Sequence, residues 1–203
     1  MQLIVEDFEA MAPVILNPHR AAPMTDQEFV AFCGRYPDCL VESSAAGEIS
    51  IMPPTYSKTG SQNSEILGQL WVWAKRDGSG KVFGPDCGFR LPNGARRSPD
   101  ASWIRKDRIS ALGPDEQNSF YPLCPDFVIE LRSQTDRLPV LQAKMREYLN
   151  NGATLGWLID PIEKTAWIYR AGGERPICLE RPSELTGEDP VVGFILPLAE
   201  IFE

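Results

Sequence analysis

Histidine is almost missing from this chain, which has one, His19, in 203 residues. That scarcity removes histidine-rich metal sites and leaves a thiol nucleophile without a plausible base. Cysteine is little better placed. Cys33, Cys39, Cys87, Cys124 and Cys178 are odd in number and contain no CxxC pair, so neither a disulfide framework nor a structural zinc is expected. Buried or incidental thiols are the reading that remains. Positive charge is also short: 20 Lys and Arg face 28 Asp and Glu, a formal charge of −8. Such a surface does not draw in a phosphate backbone from a distance, which argues against strong non-specific nucleic-acid binding. A local basic groove is still compatible with it. Long apolar runs are absent too, and no window approaches the roughly eighteen residues of a membrane span. The opening MQLIVEDFEAM carries acids where a secretion signal would be basic, so a cytoplasmic protein with no membrane partner is expected.

Large apolar side chains are plentiful. Five Trp and nine Phe supply core pieces, and the length suits one domain that needs no staples. Residues 1–24, with Pro13, Pro18 and Pro23, read as an extension that could hold a short N-terminal helix, and residues 25–203 as the domain. Thr25 with Glu28 forms a capping-box signature for a short helix ending between Gly34 and Pro37. A strand, turn and strand follow over 39–52, then a polar loop over 55–63. Ile66, Leu67, Leu70, Trp71 and Ala74 recur at helical spacing, giving a long helix from Ser64. Short strands are expected at 81–83, 87–91 and from Ser98, with a weak helix at Asp115 and Glu116.

The centre of the chain is the clearest. Phe127, Ile129 and Leu131 alternate with Asp126, Val128 and Glu130, as a strand with two different faces requires. Leu138, Leu141, Met145 and Leu149 mark a helix over 138–150 that stops at Asn151 and Gly152. Residues 155–160 and 165–170 form a hairpin, and shorter strands close the fold. This order predicts an α/β (α+β) core with one central sheet.

Asp100 begins one strand and Glu130 ends another, so rigid backbone can hold two carboxylates near one ion. Oxygen ligands of this kind suit Mg2+ or Mn2+. Lys144, on the helix after the Glu130 strand, can fold back to offset developing negative charge. Tyr148, four residues later, shares its helical face. Each residue alone also has a plain structural reading as a turn acid, an edge-pairing glutamate or a surface lysine. Arg132 lies on the Glu130 side by strand parity, and is either a second phosphate clamp or a salt-bridge partner. Asp126 and Asp160 are alternative partners for Glu130. Arg90, Arg96, Arg97, Arg105, Lys106 and Arg108 form the notable basic concentration, read as a solvated loop or as a phosphate-facing rim.

These residues sit in stretches that resemble the Uma2 family, of the cyanobacterial type, within the PD-(D/E)XK nuclease superfamily. The matching text is VESSAAGEISIMPPT with Glu42 and Gly47, TGSQNSEILGQL, FRLPNGARRSPDASWI with Asp100, LCPDFVIELRSQTD with Glu130 and Ser133, and LQAKMREYLNNGATLGWLIDP with Lys144, Tyr148, Gly152, Trp157 and Asp160. The resemblance spans about residues 25–170. It implies a restriction-endonuclease-like core, a central mixed sheet flanked by helices. It also implies Asp100 and Glu130 as the two acidic positions and metal ligands. The lysine usual two residues past the second acid is replaced by Arg132, and the resemblance implies that Lys144 takes that part from the helix. Lys144 and Tyr148 have the spacing of a glutamine and tyrosine in related nucleases. Glu42 falls on an additional acid near the site. The histidine that many relatives carry near the first long helix has no counterpart among Ser61, Gln62 and Asn63.

The expectation is a metal-dependent endonuclease acting on nucleic acid, DNA first, with a homodimer able to address both strands. The alternative is a non-catalytic binding or regulatory protein that keeps the nuclease fold. A two-carboxylate glycosidase rests on no feature beyond the presence of acids.

Overall fold

The computed structural model describes residues 13–16 and 22–203. The expected N-terminal helix and His19 lie outside the described residues. Strand β1 (Val14–Leu16) is followed by helix α1 (Asp26–Cys33), then β2 (Leu40–Ser43) and β3 (Ile49–Met52). Thr25 and Glu28 cap α1 reciprocally, as their spacing predicts, and Gly34 ends the helix. Next come α2 (Ser57–Asp77), β4 (Gly80–Phe83), β5 (Phe89–Arg90), β6 (Arg96–Arg97) and β7 (Ala101–Arg105). Two short helices, α3 (Lys106–Ser110) and α4 (Pro114–Gln117), lead to β8 (Phe127–Leu131), α5 (Leu138–Asn150), β9 (Leu155–Asp160), β10 (Thr165–Arg170) and β11 (Ile177–Glu180). A hairpin of β12 (Glu184–Thr186) and β13 (Ile195–Pro197) closes the chain. No helix among the described residues is long and apolar enough to cross a membrane.

The central sheet has six strands in the order β11-β10-β9-β8-β7-β4. It is mixed: β8 and β9 run parallel, joined through α5, while its other neighbours pair antiparallel. Helix α5 covers one face through Leu141, Met145 and Tyr148, packed on Val128, Leu158 and Tyr169. Helix α2 and the C-terminal hairpin cover the other, where Ile66, Leu70, Phe194 and Leu196 meet Trp103, Phe127, Ile129 and Trp157. All five residues of β8 are therefore buried, and its alternation separates two covered faces rather than core from solvent.

The structure departs from the single expected sheet. A second sheet, in the order β1-β3-β2-β6-β5, curls around Phe29, Val41, Ile49 and Ile51 and has its own small core. The hydrophobic pattern marks such strands but not the sheet that takes them. Helix α2 is also longer than its apolar spacing suggests, because the polar 57–63 stretch, expected as loop, is helical. Its polar side chains are tied by tertiary bonds: Gln62 donates to the Ile201 carbonyl at 2.6 Å and Asn63 to Asp100 at 3.2 Å. That anchoring holds the helical turns without an apolar stripe.

Candidate active site

Antiparallel register pairs Ala101 with Ile129. One step beyond that pair, Asp100 stands across from Glu130, and directly opposed residues of an antiparallel pair project to one face. The two acids are also tied through the backbone, since the Leu131 amide donates to Asp100 Oδ2 at 2.8 Å. Glu130 shares the parity of Val128, so it points beneath α5. The helix meets it there: Lys144 Nζ lies 2.9 Å from Glu130 Oε1, and the Tyr148 hydroxyl donates to the same oxygen at 2.9 Å.

The second sheet delivers the third acid. Glu42 on β2 reaches Lys144 Nζ at 2.9 Å, so one ammonium bridges Glu42 and Glu130. Its carboxylate also accepts from the Ser98 amide at 2.8 Å and from Arg97 Nη1 at 3.2 Å. Arg97 continues to Glu147 on α5 at 2.6 Å, and Glu147 accepts from Asn93 at 2.9 Å. The result is an alternating chain of charge, Glu147, Arg97, Glu42, Lys144, Glu130, that stitches both sheets to α5. Glu42 and Glu130 are only 3 % exposed.

Their ionisation follows from that burial. Burial pushes the Glu130 carboxyl up to about 8, with Asp100 and Glu42 adding repulsion and Lys144 opposing. Asp100 is pushed to about 6, chiefly by burial, while the Leu131 amide, Lys144 and Asn63 pull it down. Burial works against ionised Glu42 too, but Lys144, Arg97 and the Ser98 amide outweigh it and hold Glu42 below the usual carboxylate range. Burial would strip Lys144 of its proton, yet Glu130 and Glu42 raise it above the ordinary ammonium value. Tyr148 is held well above the usual phenol range by burial and then by Glu130, so it remains a donor.

Thus Asp100, Glu130, Lys144, Tyr148 and Glu42 come together. Arg132 does not join them: it pairs with Asp160 at 2.6 Å and reaches the Asp136 carbonyl. The alternative acids are committed elsewhere. Asp126 pairs with Arg108 at 2.9 Å and accepts from the Arg105 amide, and Asp160 also caps the turn at Ile162 and Glu163. Sequence reasoning passed over Arg97, Glu147 and Asn63 as site residues. Glu147 stands three residues after Lys144, on the same helical face, which was a usable signal. Arg97 was visible only as one of a basic run, and Asn63 lay in a stretch read as loop.

A family model described as "Putative restriction endonuclease", Uma2, matches residues 26–199. The chain belongs to the Uma2 family. The Uma2 chain is also similar to a crystal structure described as a "putative nuclease belonging to DUF820" from Anabaena variabilis ATCC 29413. That match has 24% identity, a TM-score of 0.72, and covers 89% of this chain and 98% of the other. It bears on the fold alone, a mixed α/β core with a central sheet flanked by helices. No curated protein matches this Uma2 chain.

A divalent ion is the cofactor the fold family implies. Asp100, just before β7, and Glu130, on the neighbouring β8, are hard oxygen donors tied together through the Leu131 amide. Among the described residues no group of three or more His, Cys, Asp or Glu forms a metal cage. Magnesium does not require one, since it is commonly held by one or two carboxylates and keeps several waters. The donor set fits.

Proposed function

We propose that this Uma2 protein is a divalent-metal-dependent endonuclease that hydrolyses nucleic-acid phosphodiester bonds, with DNA as its substrate. The observation that carries the reading is Lys144 Nζ at 2.9 Å from Glu130, a lysine brought from α5 to the acid although position 132 is arginine. Asp100 and Glu130 would hold Mg2+ or Mn2+, which supplies Lewis-acid stabilisation of charge on the phosphoryl oxygens. Lys144, kept protonated by two carboxylates, faces the same acids and offsets negative charge as the phosphorus becomes five-coordinate. Glu42 fixes the ammonium from the other side. Tyr148 orients Glu130 by its hydrogen bond. A homodimer would present two such sites to the two strands.

The test is cleavage of supercoiled, linear duplex and single-stranded DNA, with RNA alongside, in Mg2+, in Mn2+ and in EDTA. Cleavage should need the metal and disappear in Asp100→Asn, Glu130→Gln and Lys144→Ala. Equal cleavage by all three variants would sink the assignment. One observation favours a second reading, a binding or regulatory protein that keeps the fold: Glu130 is nearly sealed and both its oxygens already have partners in Lys144 and Tyr148. That reading expects no metal-dependent turnover, and nucleic-acid or protein binding that survives Glu130→Gln.

A further inference from the structure

Asn63 is half-buried near the start of α2 and donates through Nδ2 to Asp100 Oδ1 at 3.2 Å. A carboxylate accepts hydrogen bonds and offers none, so this contact fixes the amide the other way round from a flipped one. Its carbonyl oxygen, Oδ1, is consequently directed elsewhere, and it is buried with no hydrogen-bond partner among the described residues. A buried carbonyl without a partner costs stability, and apolar side chains of similar size would avoid that cost. Covalent geometry keeps this oxygen within one amide group of the Nδ2 that touches Asp100.

We propose that Asn63 is a positioning residue of the cation site, whose amide N–H orients Asp100 and whose orphan oxygen accepts a hydrogen bond from a water of the cation's hydration shell. This rests on the reading of Asp100 and Glu130 as the ion's ligands. The chemistry suits magnesium and manganese, which retain waters that need acceptors around the site. Partners beyond the direct ligands commonly change metal affinity by about 10-fold to 100-fold. In the absence of metal the N–H anchors α2 to Asp100 and the oxygen has no such task, so metal affinity rather than stability reads its role.

Mn2+ binding to the full chain, followed by the electron paramagnetic resonance signal of free Mn2+, is the test, together with the metal-free Tm of each variant. Asn63→Ala should weaken Mn2+ binding by about 10-fold while the metal-free chain still unfolds cooperatively. Asn63→Leu, similar in size and without either polar atom, should weaken Mn2+ binding to the same extent while the chain still folds. Unchanged Mn2+ affinity in Asn63→Ala overturns the proposal, with or without a lowered Tm. Should Asn63→Ala lose both binding and fold, Asn63→Leu decides: weakened binding in the folded chain supports the role and unchanged binding overturns it. Asp100→Asn and Glu130→Gln serve as the control on the parent reading. If they leave Mn2+ binding intact, the ligand assignment itself fails; if they abolish it and Asn63→Ala does not weaken it, only the present inference fails.

Discussion

Lys144 is a single ammonium shared by Glu42 and Glu130, two nearly sealed side chains, and is itself partly buried. Removing it takes the nearest cation from the ionised, buried Glu42, which keeps only Arg97 and the Ser98 amide, and breaking a buried pair typically costs about 3–5 kcal/mol. Lys144→Met should lose stability on that order in urea unfolding at neutral pH. Adding Glu130→Gln should change the stability little at neutral pH, where Glu130 is already protonated, and should restore none of the cleavage. The same cluster sets a pH dependence. Glu130 keeps its proton in the folded chain up to about 8, against an ordinary value of 4.5. Between those values the folded state binds more protons than the unfolded one, so stability falls as pH rises through the interval. Asp100 acts with the same sign between 3.8 and about 6. Glu42, held low, acts oppositely and contributes stability that is lost as pH falls below its ordinary 4.5. In EDTA the urea midpoint should therefore decline from about pH 6 to about pH 8.5, and Glu130→Gln should flatten that decline. A wild-type midpoint that does not move over this range would contradict the protonated state assigned to Glu130.

Helix α5 can deliver Lys144 only because it lies close against the sheet. Gly156 on β9 permits the approach, since a Cβ there would stand 2.4 Å from the Met145 terminal methyl and 3.2 Å from a Val128 methyl. Gly156→Val should lift α5, with an overpacking cost of about 1–3 kcal/mol and a loss of cleavage. Gly156→Ala should be milder, because the Met145 methyl is the free end of a flexible chain. Urea midpoints of the two variants, compared with their cleavage rates, measure this. How far each element could be read in advance follows from what holds it. Helix α5 was legible to the residue because Leu138, Leu141, Met145 and Leu149 mark its face and Gly152, at φ 109°, permits its exit. The start of α2 was illegible because Gln62 and Asn63 are held by Ile201 and Asp100, partners far away along the chain. The two-residue strands β5 and β6 were blurred for a similar reason, since a pairing such as Ser43 with Arg96 carries no local periodicity. The meeting of Asp100, Glu130 and Lys144 could be anticipated from strand, strand and helix order. The place of Arg97 and Glu147 in the same charge chain could not, because it depends on the second sheet.

At the scale of the molecule, the basic run that offered a phosphate-facing rim is spent internally. Arg90 and Arg96 pair with Asp26, Arg97 with Glu42 and Glu147, Arg105 with Asp126 and Asp189, Arg108 with Asp126, and Lys106 donates to the Gly78 carbonyl. With a net charge of −8 besides, metal-free affinity for duplex DNA should fall at or beyond the weak end of the roughly 10⁻⁴ to 10⁻⁶ M typical of non-specific binding at physiological salt. Fluorescence anisotropy of a labelled duplex in EDTA would check this, and micromolar binding there would reveal a basic surface outside that run. The parallel pairing of β8 with β9 has a broader consequence. Two neighbouring strands that point the same way oblige the chain to cross back over the sheet, and the returning helix passes above the acid that ends the first strand. An ammonium carried by that helix can then reach the acid from above, as Lys144 reaches Glu130 at 2.9 Å. The partner of Glu130 is therefore set by the fold and not by spacing, for the lysine that reaches it stands 14 residues further along the chain while position 132 is arginine.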